Sequence, residues 1–239
     1  MSEEHEIAIS EGISIIAATN RDDCMENLFA NYENQQWGKK ELIILLNKDS
    51  MDLGHWLKKA SEYPEVSVFQ LPEEMTLGKC LNIGVTKAKY PYIAKMDDDD
   101  YYGPLYLSEA MATMKKFNAG VVGKRTCFMY MIDQKELRLR FPGREMKRVH
   151  VPQGATIFTT KRLLKLIPFG NKNVGECLHF LKRCKAAGYK ICSSSRYHYA
   201  IMRKETHSHT WRPSRRYLYR TSRKIAITHD YKKFVDKHK

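Results

Sequence analysis

"TLGKCLNIGVTKAKYPYIAKMDDDD", residues 76–100, sets a helical spacing directly before a short apolar strand that ends in four adjacent aspartates. Two glycines, Gly78 and Gly84, weaken the helix as a local element. The run "YPYIAKM" (90–96) has the composition of a buried strand. Four neighbouring carboxylates repel one another, and burying one unpaired is expensive. A hard divalent cation would turn that repulsion into attraction, because such ions take carboxylate oxygens. The other reading is a solvated acidic turn, since charge runs are usually solvated faces.

Upstream, the same alternation repeats. "ISIIAAT" (13–19), "ELIILLN" (41–47) and "VSVFQL" (66–71) read as buried strands. Between them Met25, Leu28, Phe29 and Tyr32 recur at helical spacing, as do Leu53, Trp56, Leu57 and Ala60 after Asp52. Such alternation implies parallel strands joined by crossover helices. Open sheets of this kind bind ligands outside the carboxyl ends of their strands. "NRDD" (20–23), "NKDS" (47–50) and "DDDD" (97–100) are therefore expected on one edge.

Downstream the rhythm changes. "PLYLSEAMATMKKF" (104–117) reads as a helix, and "AGVVGKRTCFMYM" (119–131) and "KELRLRF" (135–141) read as antiparallel strands. "GECLHFLKRCKAAGYKI" (175–191) reads as a helix and a strand joined at Gly188, and "RPSRRYLYRTSRKIAI" (212–227) as a basic amphipathic helix. The expected fold class is α/β: a central, mostly parallel, Rossmann-like sheet flanked by helices, with a smaller antiparallel region. The expected divisions are 1–118, 119–211 and a helical basic tail, 212–239.

The 239 residues fit one large domain with a small appendage, and 43% hydrophobic content supports a real core. No apolar run reaches the roughly 18–20 residues of a membrane span. The first residues, "MSEEHEIAIS", are too acidic and polar for a secretory signal, which favours the cytoplasm. Six cysteines without a CxxC pair read as reduced thiols. The net charge of +14 is concentrated at the end, where residues 212–239 hold ten Lys/Arg against two Asp. A tail of that kind suits an anionic surface or substrate. No nucleic-acid-binding motif accompanies it, so no nucleic-acid partner is expected.

Four segments in order carry a resemblance: residues 13–50, residues 77–100, "GECLHFLKRCKAAGYKI", and "HSHTW" (207–211). Over roughly residues 11–211 the chain resembles the family 2 glycosyltransferases of the GT-A fold. The resemblance implies an inverting, metal-dependent transfer of sugar from a nucleotide-diphosphate donor, a UDP-sugar first, with Mn2+ or Mg2+. Residues 1–118 would form the nucleotide-sugar half and 119–211 the acceptor half. Asp97 and Asp99 match the spaced pair of the D-x-D motif, Asp99 binding the metal and Asp97 facing ribose and metal. His209 would complete the metal shell. Thr19, Asn20, Arg21, Asp49, Lys79, Asp98 and Arg203 fall where the family holds its nucleotide, Asp49 toward the base and Arg203 toward the pyrophosphate. Strand alternation turns Asp98 away from the metal. Asp100 would serve a sugar hydroxyl or a metal-bound water.

The family's Glu–Asp pair reads Glu176–Cys177 here. A thiol with an ordinary pKa near ~8.5 is a poor base, so Glu176 is the catalytic candidate. The departure leaves open a non-catalytic or weakly active nucleotide-sugar binder. Sugar nucleotidyltransferases are disfavoured, because residues 10–25 hold a single glycine where those enzymes need a glycine-rich loop. The implied acceptor is a glycan or lipid-linked glycan of a bacterial surface. The basic tail would touch the inner membrane face peripherally, and homo-oligomerisation is compatible with all of this.

Overall fold

The computed structural model describes residues 11–204 and 211–236. Two sheets build it. The first has eight strands in the order β3-β2-β1-β4-β10-β6-β11-β9. In chain order these are β1 (Ile13–Thr19), β2 (Lys40–Leu46), β3 (Val66–Gln70), β4 (Tyr92–Lys95), β6 (Val121–Gly123), β9 (Lys147–Arg148), β10 (Phe158–Thr160) and β11 (Ile191–Ser193). The first four are mutually parallel, with Thr19 beside Leu46 and Ile16 beside Lys95, so their carboxyl ends share one edge. β10 then runs antiparallel to β4 and to β6. The sheet is the one expected, with reversed strands added beyond β4.

Side chains on β1 and β2 alternate between two apolar layers. Ile13, Ile15, Leu42 and Ile44 face one; Ile16, Ile43 and Leu45 face the other. Strands buried on both faces read as continuous apolar runs for this reason. Helices α1 (Met25–Asn34), α2 (Leu53–Ala60) and α3 (Leu77–Lys87) are crossovers, and α4 (Tyr106–Phe117) precedes β6.

The two glycines of α3 are close-approach positions. A Cβ on Gly84 would lie 2.6 Å from the Ile16 side chain, and one on Gly78 would lie 1.7 Å from the Gly170 carbonyl oxygen. The local helix penalty of a glycine, about 1 kcal/mol, is the cost of seating α3 this tightly on β1 and on the 170–175 loop.

The second sheet runs β13-β8-β7-β12-β5: β5 (Tyr101–Tyr102), β7 (Cys127–Met131), β8 (Glu136–Arg140), β12 (Tyr199–Arg203) and β13 (Ser222–Ile227). It is antiparallel except where β12 lies parallel to β7. The remaining helices are α5 (Lys161–Leu166), α6 (Glu176–Ala186), α7 (Arg215–Arg220) and α8 (Lys232–Val235).

The tail departs from the expected helix. Helix α7 stops at Arg220 because the Thr221 and Ser222 hydroxyls donate to the Tyr217 and Leu218 carbonyls, at 2.8 and 2.7 Å. Beyond it the chain joins the free edge of β8, with Ser222 beside Arg140. β-Branched Ile225 and Ile227 suit that strand. Val235 is fully buried, its carbonyl accepts from the His198 amide at 2.9 Å, and Tyr101 donates to Asp236. The tail is thus packed on the second sheet. Among the described residues no helix is long and apolar enough to cross a membrane.

Candidate active site

The carboxyl ends of β1, β2 and β4 open on a cleft of ≈ 770 Å3, closed on the far side by the end of β8, by β12 and by the start of α6. Thr19, Asn20, Arg21, Asp97, Asp98, Asp99, Glu176 and Arg203 all line it. The four aspartates sit in four different environments.

Asp98 is buried. The Thr19 hydroxyl donates to it at 2.5 Å and Arg21 Nε at 3.1 Å, while Arg21 Nη2 pairs with its other oxygen. Its carboxylate fixes Arg21 to the end of β1, at the lining of the cleft. Asp100 is also buried. Tyr199 donates to it at 2.5 Å and the Met202 amide at 3.1 Å. Each oxygen accepts one hydrogen bond from β12, so Asp100 joins the two sheets. Burial, with Asp99 and Asp97 nearby, holds its carboxyl well above the usual range.

The backbone of the run is clamped from α1. The Asn27 amide donates to the Asp98 and Asp100 carbonyls at 2.7 and 3.0 Å, and Asn31 donates to Asp100 at 2.8 Å. A loop of repelling carboxylates is held in one shape by neutral donors.

Asp97 and Asp99 face the cleft. Arg21 Nη2 lies 3.2 Å from Asp99 Oδ2. Asp97 pairs with the ammonium of Lys95, which is buried on β4. Burial raises the Asp97 carboxyl, Lys95 pulls it down, and Asp99 and Glu176 add to the rise. Lys95 is held above the usual lysine range: burial works against its charge, and Asp97 outweighs it, with Cys177 and Glu176 contributing. Among the described residues no three His, Cys, Asp or Glu side chains converge as a metal cage. Two carboxylates in a cleft still fit Mg2+ or Mn2+, which complete their shell with phosphate oxygens and water. His209 lies outside the described residues.

Glu176 is the first residue of α6, after Gly175 at φ +87°. It is buried against Cys177, whose thiol donates to Glu176 Oε1 at 3.1 Å. Burial pushes the Cys177 thiol well up, so it stays protonated beside the carboxylate. The loop before α6 is tied to α3: Leu77 N donates to the Asn173 side chain at 2.9 Å and Gly78 N to the Lys172 carbonyl at 3.1 Å. Gly78 also comes within 3.3 Å (Cβ to Cβ, were it alanine) of Glu176. Glu176 is therefore registered to α3, and through α3 to the first sheet.

Two expected residues fall outside the cleft lining. Asp49 is exposed and accepts from the Glu73 amide at 3.2 Å; its neighbours Asn47 and Glu73 line the cleft. Lys79 is exposed on α3, where its amide caps onto Thr76 at 3.3 Å. Sequence reasoning missed Lys95, Arg125 and Arg140. The signal was present: a lysine inside apolar "YIAKM", and arginines alternating with leucines in "ELRLR".

The far wall is cationic and aromatic. The Arg125 guanidinium stacks on Phe141 with its carbon 3.6 Å from the ring centre; Arg140 lies 4.9 Å from Phe141 and 5.2 Å from Trp211; Arg203 lies 5.0 Å from Trp211. Arg203 Nη1 donates to the Trp211 carbonyl at 3.1 Å.

The sheet order, with an acidic loop at the end of β4 and a carboxylate across the cleft from it, is that of the GT-A fold. Solved structures agree: TarS 1-349 of S. aureus in complex with UDP-GlcNAc aligns over 82% of this chain and 60% of that one, with TM-score 0.62 and 16% identity. The mannosyltransferase PcManGT of Pyrobaculum calidifontis, in complex with GDP-Man and Mn2+, aligns over 80% and 56%, with TM-score 0.62 and 15% identity. The model of glycosyl transferase family 2 matches residues 14–172, and the chain belongs to that family. Among curated relatives, the O-antigen biosynthesis glycosyltransferase WbnJ of Escherichia coli is 34% identical over 120 residues, 49% of this chain and 47% of WbnJ. The poly-β-1,6-N-acetyl-D-glucosamine synthase of Staphylococcus aureus (strain MSSA476) is 29% identical over 103 residues, 41% of this chain and 25% of the synthase. The chain thus covers about half of the first relative and a quarter of the second.

Proposed function

We propose that the chain transfers a sugar from a nucleotide-diphosphate donor to an acceptor hydroxyl with inversion, in the synthesis of a bacterial surface glycan. The observation that carries it is the placement of Glu176 in the same cleft as Asp97 and Asp99. Family membership and the O-antigen and poly-N-acetylglucosamine relatives support the reaction and the product class. The UDP and GDP sugars in the structural neighbours support a nucleotide-sugar donor, a UDP-sugar first.

Asn20 and Arg21 flank the donor, and Arg203 reaches its diphosphate from β12. Asp97 and Asp99 would hold Mn2+ or Mg2+, with His209 as a further ligand, and the cation would supply Lewis-acid stabilisation of negative charge on the diphosphate. Glu176 takes the proton of the acceptor hydroxyl as that oxygen bonds to the anomeric carbon and the sugar–phosphate bond breaks. Cys177, kept as a thiol, orients Glu176 by its hydrogen bond. The acceptor is a glycan or lipid-linked glycan, and the exposed cations of the tail meet an anionic membrane face. Incubation with a panel of nucleotide sugars, with and without Mn2+, tests the reading. Mn2+-dependent release of nucleoside diphosphate from one donor is expected. Binding without release from any donor, with acceptor glycans supplied, would mark a binder instead of an enzyme.

A further inference from the structure

Arg203 serves the proposed donor site, whereas Arg125 and Arg140 beside it take no part in the donor chemistry. Arg125, Arg140 and Arg203 line a single wall, and among the described residues no carboxylate lies within ion-pair distance of any of them. Arg140 is 2% exposed, and its buried Nε has no hydrogen-bond partner among the described residues. Its Nη1 reaches only the Gln153 side-chain oxygen, at 3.5 Å. Burial of a guanidinium without an anion is costly, and proteins rarely keep one without a use for it.

The site is built. Phe141 and Trp211 hold the guanidinium planes from behind, which spends no donor and leaves N–H groups for a ligand. Burial lowers the Arg125 and Arg203 guanidiniums and Arg140 pushes both the same way; Asp100 and Asp99 pull Arg203 back toward its charge, whereas no carboxylate does so for Arg125.

The position argues for the acceptor. Arg125 Nη1 donates to the Val151 carbonyl at 3.1 Å, Arg140 meets Gln153, and the Gly154 carbonyl meets the Cys177 thiol at 3.6 Å. One short segment, 151–154, therefore links Arg125 and Arg140 to the helix start that carries Glu176. Arg21, Asp97 and Asp99 belong instead to the ends of β1 and β4.

Resting on the proposed transfer reaction, we infer that Arg125 and Arg140 bind a phosphate group of the acceptor, so that the acceptor is a phosphate- or phosphodiester-bearing glycan or polyol. Fork-shaped guanidiniums bind phosphate oxygens in pairs, and the ring faces of Trp211 and Tyr217 lie beside them for the sugar or polyol portion.

The test is calorimetric titration of the full chain, first with UDP and Mn2+, then, at saturating UDP and Mn2+, with glycerol 3-phosphate and with acetate. The phosphate ester should bind the loaded protein and acetate should not. Arg125→Gln and Arg140→Gln should each weaken the ester roughly tenfold or more, with UDP affinity held within about twofold. Should Arg140→Gln fail to fold, the half-exposed Arg125→Gln carries the same comparison. If UDP does not bind, the donor reading fails, and titration of the ester into the Mn2+ form alone still reads the arginine site. No ester binding in either form overturns the inference. So does equal binding of acetate, or a loss of UDP in step with the ester, which would give the arginines to the donor diphosphate.

Discussion

The Cys177 thiol donates to the Glu176 carboxylate across 3.1 Å, at the position where the family sets a second acid. The buried Lys95 ammonium supplies the compensating charge to Glu176 and Asp97. Glu176→Gln should cut turnover by about 10²–10⁴ with donor affinity unchanged; Cys177→Asp should retain or raise turnover. Steady-state kinetics beside UDP titration check both, and a fully active Glu176→Gln would move the base elsewhere.

Asp98 and Asp99 are neighbours with opposite commitments. Asp99→Ala should abolish Mn2+-dependent donor binding and leave the melting temperature near that of the wild type. Asp98→Ala removes the main partner of the Arg21 guanidinium and of the Thr19 hydroxyl while leaving Arg21 beside Asp99, so it should cost roughly 1–3 kcal/mol of stability, as for a buried group deprived of a hydrogen-bond partner. Thermal melts and UDP titrations of both variants separate the roles.

Gly78→Ala should be destabilising although alanine is the better helix former. The helix gain is about 1 kcal/mol, while the new Cβ would sit 1.7 Å from a backbone oxygen that cannot rotate away. The 170–175 loop must move, and Glu176 with it. We expect a loss of about 1–3 kcal/mol and a fall in turnover larger than any change in UDP affinity. Gly143→Ala, where a Cβ meets nothing within 4 Å, controls for strain alone at its φ of +79°.

Lys124 is almost wholly buried and its Nζ lies 2.5 Å from Glu109 Oε2. Burial raises the Glu109 carboxyl, but Lys124 and the Ser195 amide outweigh it, and its pKa is lowered. A carboxyl lowered in the folded state contributes stability above its unfolded pKa, near ~4.3, and loses it as pH falls through the folded value. Denaturant melts should therefore show stability declining below about pH 4. Glu109→Gln should flatten that part of the curve and cost roughly 3–5 kcal/mol at neutral pH, from the charge left on Lys124.

Deletion of residues 212–239 should yield an aggregating protein, because β13 completes the second sheet and Val235 fills its underside. Membrane contact is better read from Arg223 and Lys224, which are exposed on β13. Their joint replacement by Ser should leave the melting temperature in place and weaken salt-sensitive sedimentation with anionic vesicles. Unchanged sedimentation would remove the tail from membrane recruitment.

The sequence by itself determined the parallel half of the fold. Ile13–Thr19, Lys40–Leu46 and Tyr92–Lys95 each carry consecutive apolar residues (Ile15 to Ala18, Leu42 to Leu46, Ile93 and Ala94), the composition of strands buried on both faces. With the helical spacing between them, the acidic run had to fall at a carboxyl edge, and Glu176 at a helix start. Tertiary structure decided which carboxylates stay open to a ligand. "DDDD" is uniform as a string, yet Arg21 and Thr19 take Asp98, Tyr199 and the Met202 amide take Asp100, and those partners lie 77 to 102 residues away. It also decided the tail, because a strand there depends on the free edge of β8, which no local propensity in residues 212–227 records. The wall of Arg125, Arg140 and Arg203 comes from the β6–β7 connection and the ends of β8 and β12, so its charge became one site only when two sheets closed on one cleft.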